Sequence, residues 1–176
     1  MIMEITKKEL NLIIREEMAN VIREAFDSEA SPEEALRRLL QDLGEEEQVR
    51  KLDFTTESVN GDEIIRYLIE NSNDPRFSSL EELGLRESGV SSDGALALSG
   101  SDLFKNLYRL DLESNDIGCD GLKALVAGWI SLNRGDDESY LYLADNQCKD
   151  LPVLQKMILD AKKEKQIYIL YGTNRR

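Results

Sequence analysis

The side chains with chemical capability in this chain are mostly carboxylates, and the partner they most often work with is missing. Its 176 residues hold 35 Asp and Glu, 22 Lys and Arg, two cysteines and no histidine. Without histidine there is no Ser-His-Asp or Cys-His nucleophile pair, and none of the common zinc sites. The run Gly89 to Gly94 lacks the lysine that should follow a phosphate-cradling loop. Asp111-x-Glu113-x-Asn115 starts like a calcium loop. Its sixth position is Asp116 where glycine is needed, and its twelfth is Leu122 where glutamate is needed. Asp53 and Asp111, the paired carboxylates an acid-base site would need, belong to strand-like segments two apart on an open face. The expectation is a protein that is not an enzyme and carries no metal or cofactor.

The elements that must position these residues recur. Leu107, Leu110, Leu112, Asn115, Ile117 and Gly121 form one figure, and Leu80, Leu83, Leu85, Ser88, Val90 and Gly94 form the same figure 27 residues earlier. Val49, Leu52, Phe54 and Val59 stand 31 residues before that copy. Leu141, Leu143, Asn146 and Cys148 stand 31 residues after the Leu107 copy, with Glu138 in the first slot, and Ile167 and Ile169 follow. Such a period sets the architecture, because one copy cannot bury its apolar side and neighbours must stack. L-x-L reads as a short strand with alternate residues pointing inward. Strands are expected around 50–54, 81–85, 108–112, 139–143 and 166–170, and helices at about 61–71, 92–99, 119–131 and 151–164. Asn115 and Asn146 should turn inward and bond backbone groups freed where the chain turns. Glu57, Ser88 and Gly172 hold that slot elsewhere, so the asparagine ladder is expected to be incomplete. Cys119 and Cys148 lack motif spacing. Cys148 stands where Ile117 and Val90 stand in other copies, and reads as a small buried thiol in a reducing compartment.

The pattern resembles the leucine-rich-repeat family, LxxLxLxxN followed by a helix, and is most similar to its ribonuclease-inhibitor-like subclass in repeat length and in the glycine near the helix start. The resemblance covers about residues 49–171. It implies an α/β leucine-rich-repeat solenoid, with a short parallel concave sheet and convex helices, that serves as a recognition scaffold. Leu83, Leu85, Leu110, Leu112, Asn115, Leu141, Leu143 and Asn146 would be the structural repeat positions.

Residues 1–48 read as a helical N-terminal segment and cap, and 49–176 as a solenoid of four to five repeats. Thr6-Lys7-Lys8-Glu9 has capping-box spacing, and Leu10, Ile13, Ile14, Met18, Val21, Ile22 and Ala25 then recur at helical spacing over 6–26. That helix either covers the front of the solenoid or is a docking or self-association helix placed ahead of it. Ser31-Pro32-Glu33-Glu34 starts a second helix that Gly44 ends. The runs Asn71 to Pro75 and Asn133 to Asp137 read as loops on one rim. Net charge is −13 and mean hydropathy −0.43. Residues 1–50 carry 7 basic and 13 acidic side chains, 51–135 carry 8 and 15, and 136–176 carry 7 of each. The acidic majority argues against nucleic acid and anionic membranes as partners. No signal peptide or membrane-length apolar run is visible, and a cytoplasmic protein is expected.

Strand residues between the buried ones should face the open side. By alternation one row across the strands reads Lys51, Glu82, Arg109, Tyr140, Gln166, and the next reads Asp53, Gly84, Asp111, Tyr142, Tyr168. The first columns are charged and mostly paired among themselves. Tyr140, Tyr142 and Tyr168 would stand together, with Tyr171 close by. Tyrosine offers large contact area at low entropic cost. The expected function is therefore non-catalytic binding of a protein partner on the concave face, with these tyrosines as anchors and Arg86, Arg109 and Glu113 setting orientation. The alternative is an assembly subunit using residues 6–26 and the open C-terminal edge. An enzyme inhibitor is a third, weaker possibility.

Overall fold

In each copy a leucine or isoleucine holds the inward position of a very short strand, and its neighbours along the strand point the other way. The computed structural model describes residues 48–55, 60–132, 138–148, 151–161 and 167–171. These segments are β1 (Lys51–Asp53), β2 (Glu82–Gly84), β3 (Arg109–Asp111), β4 (Ser139–Tyr142) and β5 (Ile167–Leu170). They form one parallel sheet of five strands in chain order. Leu52, Leu83, Leu110, Leu141 and Ile169 are register partners across it, and all are buried. The chain divides into two units, Met1–Gly44 and Glu45–Arg176, and every described residue lies in the second. The helices expected at 6–26 and 31–44 fall outside the described residues, as do Glu57, Val59, Asn133 to Asp137, Asp150, Gln166 and Gly172.

Parallel neighbours require crossovers, and helices supply them. They are α1 (Gly61–Glu70), α2 (Ser92–Ser99) with the short α3 (Asp102–Asn106), α4 (Cys119–Ser131) and α5 (Leu151–Ala161). Along the chain α1 packs on α2, α2 on α4, and α4 on α5. The starts of α1 to α3 each have a local cause. The Asn60 side chain accepts from the amides of Asp62 and Glu63, and Ser91 does the same for Asp93 and Gly94. Ser101 caps α3, and Asp74 caps a 3-10 turn at Pro75–Phe77. These last two elements were not anticipated, being too short to show a period. They bury Phe77, Leu103 and Phe104, and Phe104 meets Trp129 edge-on at 5.4 Å.

The repeating glycine is needed because the helices approach closely. A Cβ on Gly121 would lie 2.8 Å from Ile117 Cγ2 and 3.1 Å from Ala95 Cβ. A Cβ on Gly94 would collide with the Asp62 carboxylate. That carboxylate accepts from the Ser91 amide at 2.9 Å and the Ser91 hydroxyl at 2.6 Å. The glycine of one repeat thus leaves room for an acid of the previous repeat to hold the next helix start.

Behind each strand the chain turns, and one carbonyl per repeat is left facing the interior. Asn146 Nδ2 donates to the Leu112 carbonyl at 2.8 Å, and Asn115 Nδ2 to the Leu85 carbonyl at 2.7 Å. The Asn115 Oδ1 accepts from the amides of Ser88 and Val90, and the Asn146 Oδ1 from the amide of Ile117. Ser88, expected to interrupt the ladder, continues it: its hydroxyl donates to the Phe54 carbonyl at 3.0 Å. Phe54, Leu85 and Leu112 are the same repeat position, so one shorter side chain performs half of the asparagine's work. The residue before each of these, Glu87, Ser114 and Asp145, has φ of 55°, 55° and 56°. Left-handed backbone costs a side-chain-bearing residue roughly 1–2 kcal/mol, so the turn is imposed by the interior bonds rather than by local preference.

The cysteines require a correction. Cys148 is buried, but it is not a free thiol: it is bonded to Cys119, and among the described residues no free cysteine remains. Cys119 opens α4, and Cys148 lies in the turn of the next repeat, beside the bridge between Gly118 and Gln147. Linear spacing hides this pair, because 29 residues separate two positions that stacking makes adjacent. The reducing-compartment reading loses its basis.

Asn115→Ala strands a buried carbonyl and two buried amides, and is expected to cost on the order of 3 kcal/mol or more in a denaturant titration. Ser88→Ala should cost less, about 1–3 kcal/mol. Thiol titration of the native protein is expected to find no reactive cysteine. Reduction, or Cys119→Ser with Cys148→Ser, should lower stability by about 3–4 kcal/mol. Two titratable thiols in the native protein would refute the pairing.

Candidate functional site: the open face of the sheet

Alternation within the strands leaves one face of the sheet without a covering layer among the described residues, and its side chains are set by register. On β1 to β3 these are Lys51, Asp53, Glu82, Arg109 and Asp111, with Gly84 contributing none. On β4 and β5 they are Tyr140, Tyr142, Tyr168 and Leu170. The observed register corrects the expected rows. Tyr168 pairs with Tyr140, and Leu170 with Tyr142. The rows are therefore Lys51, Glu82, Arg109, Tyr140, Tyr168 and Asp53, Gly84, Asp111, Tyr142, Leu170. A shift of two residues keeps every side chain on its predicted face while changing its neighbours. It was invisible because β5 lacks the flanking leucines that register the other copies.

The shift brings the rings into one stack. Tyr140 lies 5.0 Å from Tyr168 and 6.4 Å from Tyr142, with interplanar angles of 13° and 15°. The Arg109 guanidinium closes the Tyr142 end, 4.8 Å from that ring and 5.9 Å from Tyr140. Arg109 thus leans onto the aromatics rather than forming the plus-minus-plus row expected with Glu82. Such a cation over a ring face contributes roughly 0.5–1 kcal/mol at an exposed site. Tyr168 is 42% exposed and Leu170 46%, so the stack ends in an uncovered apolar surface. Tyr171 is not part of it. It has the opposite parity, and its hydroxyl donates to the Cys148 carbonyl at 3.4 Å.

Of the expected orienting residues, Arg109 joins the tyrosines, while Arg86 and Glu113 pair with each other at 3.0 Å. Arg86 also reaches Glu87 at 3.2 Å. Glu113 has only 14% of its side chain exposed. Its pKa is raised, first by burial and then by the negative charge of Asp111, against the pull of Arg86, with Asp145 adding to the rise. The Tyr140 hydroxyl donates to Glu138, which raises the phenol's pKa. Leu170, Asp145 and Glu138 were not singled out from the sequence as site residues. Leu170 had the correct parity but no partner until the register was known. Asp111, the candidate first oxygen of a calcium loop, instead accepts the Glu113 amide at 3.0 Å. No cluster of three or more ligating side chains suited to a metal exists among the described residues.

No family model matches this chain, and no curated protein matches its sequence. Among solved structures it is similar to "Leiomodin-1 Actin-Binding Site 2 (ABS2)", with a TM-score of 0.51 and 10% sequence identity, over 88% of this chain and 78% of that one. At that identity the likeness concerns the fold alone. The fold and face together define an α/β protein with a five-stranded parallel sheet, backed by helices and bearing an aromatic stack on its open side. Among the described residues no helix is long and apolar enough to cross a membrane.

The electrostatics are testable in one titration. The Glu113 carboxyl, followed by carbon-13 NMR, is expected to titrate above the usual glutamate range, and Asp111→Asn to bring it down. Because the folded state holds this proton more tightly than the unfolded chain does, the group's stabilising contribution is complete below its unfolded pKa. It fades as pH rises through the folded value. A Glu113 midpoint unmoved by Asp111→Asn would contradict the arrangement.

Proposed function

We propose that this chain is a non-catalytic protein-binding module, built as a leucine-rich-repeat-like solenoid of the ribonuclease-inhibitor-like kind, whose partner seats on the open, concave sheet face. The observation that carries the reading is the stack of Tyr140, Tyr142 and Tyr168 with Arg109 at its end. Stacked rings have already given up rotamer freedom, so a partner covering them orders little more on binding. Tyrosine and arginine are also the side chains in which interface energy concentrates. The similar solved structure is described as an actin-binding site; this supports a protein ligand as a class and does not name one here. The absence of histidine supports a role without catalysis. A Cys119–Cys148 bond favours an oxidising compartment over the cytoplasmic placement expected from the sequence.

A second reading, assembly with further copies, has its own support. Among the described residues nothing pairs with the outer side of β5, and that strand exposes Tyr168 and Leu170. An unpaired strand edge is a template for another chain.

The deciding experiment compares wild type with a Tyr140/Tyr142/Tyr168→Ser variant in capture from source-cell lysate, recording solution mass for both. Loss of a captured protein at unchanged mass and unchanged circular dichroism is the expected result. Identical capture by both would remove the tyrosine stack as the site. A change of mass in the variant would favour assembly.

A further inference from the structure

Resting on that reading, we propose that the partner offers a lysine or arginine side chain to the open face beside Tyr142, together with an apolar side chain that covers Tyr168 and Leu170. Two observations carry this. The first is the charge around the stack's inner end. Asp111 is the register partner of Tyr142, and Glu113 and Asp145 lie close enough to act on each other. The cations nearby are already engaged: Arg86 is bonded to both Glu113 and Glu87, and Arg109 lies over the Tyr142 ring. Neither Asp111 nor Asp145 has a basic group within ion-pairing distance among the described residues. The proton affinity of Glu113 is raised first by burial, and Asp111 and Asp145 add to the rise against the pull of Arg86. An incoming cation would relieve that repulsion, whereas an incoming carboxylate would add to it.

The second observation is the asymmetry of the face. Its other end, at Tyr168 and Leu170, is uncharged and exposed. From the β3 carboxylates to the β5 apolar pair is a step of two strands, roughly 10 Å. The face therefore asks for a basic and an apolar group about that far apart. A second copy of this chain is a poor source, because the protein carries a net charge of −13 and like surfaces repel.

The test uses the full-length protein and three 12-residue peptides of alternating sequence: Lys with Leu, Glu with Leu, and Ser with Leu. Affinity is followed by calorimetry at low and physiological salt. An acidic protein attracts any cationic peptide to some degree, so two variants of equal charge are compared. Asp111→Asn with Asp145→Asn neutralises the proposed site, and asparagine keeps both the acceptor at position 111 and tolerance of the left-handed backbone at position 145. Asp93→Asn with Asp120→Asn removes the same charge from exposed positions on helices α2 and α4. The Lys-Leu peptide is expected to bind at least tenfold more tightly than the other two. It should weaken at least tenfold in the first variant and in Tyr142→Ser, and stay within twofold in the second. Equal weakening by both charge variants would reduce the effect to net charge and overturn the proposal, as would equal or tighter binding of the Glu-Leu or Ser-Leu peptide. If such neutral or acidic binding still required the tyrosines, the binding face would stand and only the basic partner would fall. If the tyrosine triple variant bound every peptide as wild type does, the binding face itself would fall.

Discussion

A row of carbonyls turned into the interior is the constraint that everything else in this structure satisfies. The carbonyls of Phe54, Leu85 and Leu112, just past β1, β2 and β3, turn into the interior, and a buried carbonyl without a donor costs about 1–3 kcal/mol. Ser88, Asn115 and Asn146 answer them in turn, each from the following repeat. The bond is always made across the repeat boundary, so it holds the strands side by side as well as satisfying the group. The asparagines also accept from amides of the previous turn. One side chain thereby fixes both the height and the angle at which two repeats stack.

The open face inherits its geometry from this ladder. Keeping Ser88, Asn115 and Asn146 pointed inward forces Glu87, Ser114 and Asp145 into left-handed backbone. That turn sets Asp145 near Glu113, at the end of the row where Tyr142 meets Asp111. The strands are only three or four residues long. They expose one or two side chains each, and the open face has to be assembled from five separate places in the chain. No single segment contains it. Its rigidity comes from the leucine layer beneath, in which Leu52, Leu83, Leu110 and Leu141 are fully buried.

The corrections at the disulfide and at β5 share a cause. The disulfide joins residues 29 apart, and the register of β5 pairs Tyr140 with Tyr168 rather than with residue 166. Both depend on which copy of the repeat lies beside which, and at what offset. The period predicts adjacency but leaves the offset open wherever the flanking leucines are missing. The repeat equivalents of Cys148 are Val90 and Ile117, which are apolar and unpaired, and comparison with them gives the expectation of a free thiol. Nothing in that comparison reveals that Cys119, opening the preceding helix, comes within bonding reach.

What the linear chain determined by itself was the set of elements and their faces. The L-x-L spacing with its 27- and 31-residue periods placed five strands and the helices α1, α2, α4 and α5, with α4 correct to the residue at 119–131. Alternation assigned Leu83, Leu110 and Leu141 to the interior, and Arg109, Tyr140, Tyr142 and Tyr168 to the open side. These follow from local geometry: a strand has a period of two and a helix of 3.6, and burial selects one face of each. Tertiary structure decided the rest: that the tyrosines stack with Arg109 at their end, that Glu113 is half-buried near Asp111 and Asp145 and bonded to Arg86, and that two distant cysteines pair. Each of these turns on at least one distance between residues from different repeats, and such distances exist only once the repeats have stacked.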